Sequence, residues 1–485
     1  MPSVALVNTN RMCPPIAPLG LDYLGASLRA AGVAIDLIDL CLAEEPGAAL
    51  RDYFASHSPA LIALSFRNAD DSFWPSMASF LPQLVATVEE VRRMSDAPLV
   101  LGGSGFSIFA TLIMERTRAD FGIRGDGEEA LRALLAQLEG PAAADLASVP
   151  GLLRWEDGSL QVNRPQWLLP EVRVRPPSIA RDVVDNATYF RLGGQVGLET
   201  KRGCPRACPF CADPLATGVR PRLRRPEEVA GEAEALLSQG IDVLHLCDAE
   251  FNLPLAHARA VCDEFARRGL GERLRWYTYA AVTPFDERLA AAMARAGCVG
   301  IDFTGPSASA TMLRAYGQPH SPADIAETLR LCRRHGITTM VDLMLGGPGE
   351  TPVTVRESID LLKRAAPDCV GAGVGVRLYP GLPLSESVIA HDSDSDPALR
   401  RRGGGPLDLL EPVFYVSAAL GPHPASVVRQ LIGGDERFFE PDDDTSEGAR
   451  DSGRGYNYND NTPLTRAIAD GARGAYWDIL RKSLA

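Results

Sequence analysis

The chain has 485 residues, 46% of them hydrophobic and 23% charged, a balance that excludes a mostly disordered or collagen-like protein and allows about three compact units. Its 49 Lys and Arg against 62 Asp and Glu leave a formal net charge of −13, which argues against nucleic acid and anionic membrane as partners and favours a cationic small molecule. No apolar run reaches membrane-spanning length, and MPSVALVNTN has neither the basic flank nor the apolar stretch of a signal peptide, so a cytoplasmic location is expected.

Residues 1–140 alternate short apolar runs (SVALVN, VAIDLIDL, LIALSF, PLVLGGSG) with helical spacing, as in Leu19 to Ala31. Strands separated by crossover helices predict a doubly wound parallel sheet. Residues 141–196, with prolines at 150, 165, 170, 176 and 177, read as a linker with short strands. From 197 to 383 the alternation resumes as VGLET, IDVLHL, LRWYTYA, VGIDFT, TTMVDLML and VGVRLY, six strand-like runs between helices. That repeat predicts a partial (β/α)6 barrel. Residues 384–485 form a C-terminal extension. It holds an acidic loop, Asp435 to Asp451 with Asp442, Asp443 and Asp444, a polar aromatic run YNYNDN (Tyr456 to Asn461), RGAYW, and an amphipathic helix from about Leu464. The acidic loop reads as a solvated surface run, and the polar aromatic run reads either as a lid on the barrel mouth or as a solvated loop.

Ten cysteines are too few for a disulfide scaffold in a chain of this length, but Cys204, Cys208 and Cys211 crowd together as C-x3-C-x2-C in KRGCPRACPFCADP. Gly203 and two prolines force a loop there, and a loop lets three thiolates converge. Three thiolates can hold three irons of a [4Fe–4S] cluster and leave the fourth open to an exchangeable ligand. A structural zinc would need a fourth nearby His or Cys, which the sequence does not supply. Cys247, Cys262, Cys298, Cys332 and Cys369 lie in apolar contexts and read as small buried hydrophobes, as His245 in VLHLC reads as a barrel-wall residue.

The cysteine spacing, its place after a first barrel strand and Phe210 before the last cysteine resemble the radical S-adenosylmethionine (SAM) superfamily. The resemblance implies an α/β protein: an N-terminal Rossmann-like, cobalamin-binding-type domain, a radical SAM barrel and a C-terminal extension. It also implies metal ligation by Cys204, Cys208 and Cys211, and reductive cleavage of SAM to a 5′-deoxyadenosyl radical. Within HLCDAEFNLP, Asp248 and Glu250 stand where related enzymes hold the SAM ammonium. MLGGPGET is similar to the glycine-rich turn after the fifth strand, which implicates Gly346 and Gly347 in cofactor contact. In GIDFTGPSAS, Pro306 occupies the place of a family glutamate, which leaves Asp302 or Ser307 to take the ribose. Arg377 in VRLYPGLPL is expected to face the lumen.

The N-terminal resemblance rests on PLGLDYLGASLRAAG, Ser65 in LSFRN, LGGSGF and RGDGEEA. The D-x-H-x-x-G signature that supplies a histidine to cobalt is absent, and His57 lies in SHSPA outside any such motif. Cobalamin is therefore an option rather than the expectation. The expected reaction is cobalamin-independent dehydration or deoxygenation of an aminoglycoside-type amino-sugar diol, since the chain is similar to the radical SAM diol dehydratase of apramycin-type biosynthesis. The alternative is a cobalamin-dependent radical SAM methyltransferase of natural-product biosynthesis. An electron-carrying Fe–S protein is a third reading, against which stands the missing fourth thiolate. A small polar substrate and an electron-donor protein are the expected partners.

Overall fold

The computed structural model describes residues 3–140, 145–165, 167, 180–390, 396–403, 405–442, 455 and 457–484. Asp443, Asp444, Asp451 and Tyr456 lie outside the described residues.

The first sheet contains β1 (Ser3–Asn8), β2 (Ala34–Asp39), β3 (Leu61–Ser65), β4 (Leu99–Gly102), β5 (Phe121–Ile123), β6 (Leu152–Glu156) and β7 (Ser159–Val162). Its order is β2-β1-β3-β4-β5-β6-β7. β1 to β5 are parallel. Strand alternation divides β1 between two cores: Val4 and Leu6 pack with Leu28 and Leu131 on one face, and Ala5 and Val7 pack with Leu50 and Val88 on the other. The chain reverses direction across the sheet between β1 and β3, and such a switch point opens a crevice at the carboxyl ends of the strands. β6 and β7, which fall in the stretch read as a linker, join this sheet as antiparallel strands.

A second sheet follows, built from β8 (Val196–Leu198), β11 (Val243–Leu246), β12 (Arg275–Ala280), β13 (Cys298–Phe303), β14 (Thr338–Leu345), β15 (Cys369–Val374) and β19 (Phe438–Phe439). Its order is β19-β15-β14-β13-β12-β11-β8, parallel throughout, which is an open barrel. Helices with proline in the first turn cover its outside, among them Pro322–Arg334, capped by Ser321 and Asp324, and Pro352–Ala365, capped by Thr351. Between β8 and β11, β9 (Lys201–Arg202) pairs with β10 (Arg222–Leu223) and carries the cysteine loop between them. The doubly wound domain followed by a partial barrel is the α/β class that the sequence implies.

Two expectations need correction. The sixth strand is Cys369–Val374, and Val376–Arg377 leaves it as β16, pairing with β18 (Val413–Tyr415), which also pairs with β17 (Leu399–Arg401). Arg377 therefore does not face the lumen. It is buried and donates from Nε to Asp70 of the first domain at 3.0 Å. Of the two readings of the polar aromatic run, the solvated loop is the one corrected: Asn457 Nδ2 donates to Asp71 Oδ2 at 2.9 Å, and the Tyr458 ring packs edge-on against Tyr476 with centroids 5.7 Å apart. Helices Thr462–Ala469 and Tyr476–Leu484 bury Leu464, Ile468, Trp477, Ile479 and Leu480 against Val243, Tyr277, Met340 and Cys369, plugging the lumen at the amino ends of the strands. Their apolar stripes need a surface to bury, and the barrel floor supplies it. Among the described residues no helix is long and apolar enough to cross a membrane.

Candidate active site

A cavity of about 520 Å³ lies between the carboxyl ends of the two sheets. Asn8, Ser65, Arg67, Gly102 and Ser104 line it from the first domain, and Glu199, His245, Cys247 and Tyr279 from the barrel. Ion pairs hold the two halves together around it. Arg202 of the barrel pairs with Glu128 at 2.6 Å and Asp126 at 3.3 Å, and Arg222 pairs with Asp126 at 2.8 Å. The RGDGEEA segment thus clamps the domains as well as lining the cavity.

The cysteine loop stands at the barrel's edge of this space. Gly203 takes φ +91°, and a Cβ there would come within 2.3 Å of the Arg220 carbonyl, so the sharp entry into the loop requires glycine. Cys204 is buried, while Cys208 and Cys211 are half-buried. Burial pushes the Cys204 thiol up to about 11 and the Cys211 thiol up to about 12, with neighbouring acidic groups adding to both. Thiols crowded in this way hold negative charge poorly without a cation, and iron supplies one. No three His, Cys, Asp or Glu side chains among the described residues converge as ligands of one metal ion. A cubane places each thiolate on a different iron, so the loop suits the cluster better than a single zinc. Gln318 Nε2 donates to Cys208 Sγ at 3.2 Å.

Glu250 faces the same loop. Its Oε1 accepts from Thr304 Oγ1 at 2.5 Å and its Oε2 is buried without a partner. Burial, with Asp213 nearby, raises the carboxyl to about 7 against the pull of Thr304 and Arg206. A buried orphan oxygen beside three thiols is open to a cofactor.

The other cofactor-binding expectations fare differently. Asp248 accepts from Thr200 N and Oγ1 and from Lys201 N and Nζ at 2.5–3.3 Å. Both of its oxygens are taken, so it anchors the strand before the cysteine loop and leaves nothing for an ammonium. Ser307 is fully buried, its Oγ 3.0 Å from that of Ser358. At Gly347 a Cβ would come within 2.1 Å of the Tyr316 hydroxyl, so this glycine makes room for Tyr316. Gly346 is buried at φ +89°, its carbonyl accepting from Ser417 N at 2.7 Å. Neither glycine is explained by cofactor approach.

On the first domain, a Cβ on Gly102 would meet no atom closer than 3.8 Å, and Gly103 at φ +102° lets the chain turn beneath Phe66. These glycines leave a smooth wall for a large planar group at the switch point. Arg67, which sequence reasoning did not single out, extends from the end of β3 into the cavity. Its charge adds to burial in holding the His245 imidazole down to about 4, so that ring is neutral. A guanidinium cannot ligate a metal, and His57 lies away from the cavity, stacked on Tyr53 at 4.5 Å. The residues present suit cobalamin held without a histidine from this domain.

Sequence reasoning also missed Tyr279 and Asp342. Alternation along LRWYTYA and TTMVDLML carried the signal, since the residues between them are core. Register is what brings the two together.

The Radical SAM superfamily model matches residues 198–362 and the B12 binding domain model matches residues 10–135. The chain is 30% identical to tryptophan 2-C-methyltransferase of Streptomyces laurentii over 99% of its own length and 88% of the relative's. It superposes with a TM-score of 0.91 on the radical S-adenosylmethionine methyltransferase TsrM from Kitasatospora setae with tryptophan and a SAM analogue bound, at 30% identity over 100% of this chain and 98% of that one. With cobalamin and a [4Fe–4S] cluster bound, the same methyltransferase gives a TM-score of 0.88 at the same identity and coverage. These likenesses overturn the expected dehydration of an amino-sugar diol and the resemblance to the diol dehydratase, because the full-length relatives are methyltransferases. They also reverse the weight given to cobalamin.

Proposed function

Because the chain belongs to the radical SAM superfamily and carries its B12 binding domain, we propose that it is a C-methyltransferase that moves the SAM methyl group to a ring carbon of an indole amino acid. The observation that carries the reading is the cavity, which runs from Arg202 and Asp213, on either side of the cysteine loop, to Gly102 and Gly103 of the first domain and is walled by Tyr279, Tyr458, Tyr476 and Trp477. A flat aromatic substrate packs against such rings.

Cys204, Cys208 and Cys211 would hold the cluster, and the walls at Gly102 and Gly103 would hold cobalamin. When bound, cobalamin supplies a centre able to accept and release a methyl group, chemistry that no side chain provides. This chain's residues bind, orient and exclude water. Arg67 presents a fixed positive charge at the domain junction, His245 stays neutral beside Tyr279 with ring centroids 5.0 Å apart, and the C-terminal helices close the floor. Reacting groups held in one enclosed space gain from proximity and from the loss of competing water.

The test is an anaerobic assay with SAM labelled by deuterium in its methyl group, L-tryptophan and added cobalamin. Label in a C-methylated product is expected. A product lighter by water and free of label would overturn the reading.

A further inference from the structure

The barrel carries an acidic pair on two neighbouring strands, Asp302 and Asp342. Asp302 on β13 pairs in register with Tyr279 on β12 and with Met340 on β14. Asp342 lies two residues beyond Met340, so it faces the same side of the sheet as Asp302. The residues between them, Ile301, Phe303, Val341 and Leu343, are in the core beneath the helices, which turns both carboxylates toward the lumen. Tyr279 is 38% exposed although it sits on an interior strand, because its ring opens onto the cavity.

Asp302 is only 3% exposed, and its Oδ1 has no hydrogen-bond partner. The charged groups acting on it are Asp342 and Glu250, both negative, and with burial they hold its carboxyl well above the usual carboxylate range. A fold that needed Asp302 only for packing would be more stable with an apolar residue there, since a buried carboxyl with an oxygen lacking a hydrogen-bond partner costs stability. A ligand cation removes that cost. Two carboxylates beside an aromatic ring match a primary ammonium, which donates to the oxygens and lies against the ring face.

We propose that Asp302 and Asp342 form the seat for the ammonium group of an α-amino acid substrate, next to the ring of Tyr279. The inference rests on the reading of the chain as an indole amino-acid methyltransferase and adds that recognition requires the amine. Asp302, weighed from sequence for a ribose, belongs on this account to the substrate.

The experiment is calorimetric binding to the anaerobic holoenzyme of L-tryptophan, L-phenylalanine and L-tyrosine, each beside the acid that lacks its amino group, such as indole-3-propionate. Wild type is expected to bind L-tryptophan roughly tenfold or more tightly than indole-3-propionate. Asp302→Asn and Asp342→Asn, matched to wild type in iron content and melting temperature, are expected to abolish that preference and leave indole-3-propionate binding unchanged. Equal binding of both indoles by wild type, or a preference kept in both variants, overturns the seat while leaving the indole reading intact. A preference for the amine shown only by a non-indole amino acid keeps the seat and overturns the indole. Failure of the folded holoenzyme to bind any member overturns both.

Discussion

The side-chain amide of Gln318 donates to the Sγ of Cys208 at 3.2 Å, linking the loop after the fourth barrel strand to a cluster ligand. A hydrogen bond to a cluster sulfur stabilises the reduced, more negative state and raises the reduction potential. Gln318→Leu is therefore expected to keep full iron content and lower the potential by on the order of 40 mV, the equivalent of a hydrogen bond of about 1 kcal/mol. A redox titration followed by electron paramagnetic resonance checks this, and an unchanged potential would reduce the amide to a packing role.

Replacing any one of Cys204, Cys208 and Cys211 by Ala is expected to abolish the cluster and all SAM cleavage, since two thiolates in this loop cannot retain a cubane. Iron analysis with the visible absorption of the reconstituted protein measures the loss. Full SAM turnover by any of the three variants would refute the assignment of the loop.

Glu350 is fully buried, and burial raises its carboxyl from 4.5 to about 7 despite the Thr354 hydroxyl at 2.6 Å. For an acid shifted upward, the stabilising contribution is complete below pH 4.5 and is lost as pH rises through about 7. Wild type should lose up to about 3 kcal/mol relative to Glu350→Gln across that window. Urea midpoints at a series of pH values give the difference, and parallel curves for the two proteins would contradict it.

Arg181 pairs with Asp22 at 2.6 Å and Glu232 at 2.7 Å, with all three side chains at most 2% exposed. Arg181→Met leaves two buried carboxylates short of a partner, which is expected to cost about 3–5 kcal/mol. The expected result is a lower melting temperature and early loosening of the first domain from the barrel, read by hydrogen exchange in Asp22 and its neighbours. An unchanged melting temperature would show that Arg224, which also pairs with Glu232 at 2.6 Å, carries the network alone.

Trp477 packs edge-on against Tyr277 with ring centroids 5.9 Å apart and is 4% exposed. Trp477→Ala removes the centre of the barrel plug and should destabilise the protein by about 3–5 kcal/mol. Thermal unfolding checks the loss. A variant as stable as wild type would mean that the terminal helices are not part of the barrel core.

Sequence by itself determined what is encoded within a few residues or one period. The cysteine loop was legible because its three thiols and its turn-forming glycine lie in one short segment, and the two-domain α/β class was legible because alternation reports which residues are core. Periodicity says that a side chain is buried without saying what it is buried against, so it marks the terminal helices as amphipathic without naming the barrel floor as their partner, and it leaves Arg377 aimed at the lumen. Its partner, Asp70, lies 307 residues away. The same limit hid the pairing of Tyr279, Asp302 and Asp342, which strand register creates, and the place of Arg67 across from His245, which the docking of two domains creates. It also misled the choice of cofactor: a missing histidine motif speaks only of one ligand, whereas the crevice is made by glycines and a cation brought together at a switch point. Tertiary structure decided these contacts because each depends on distances between elements far apart in the chain.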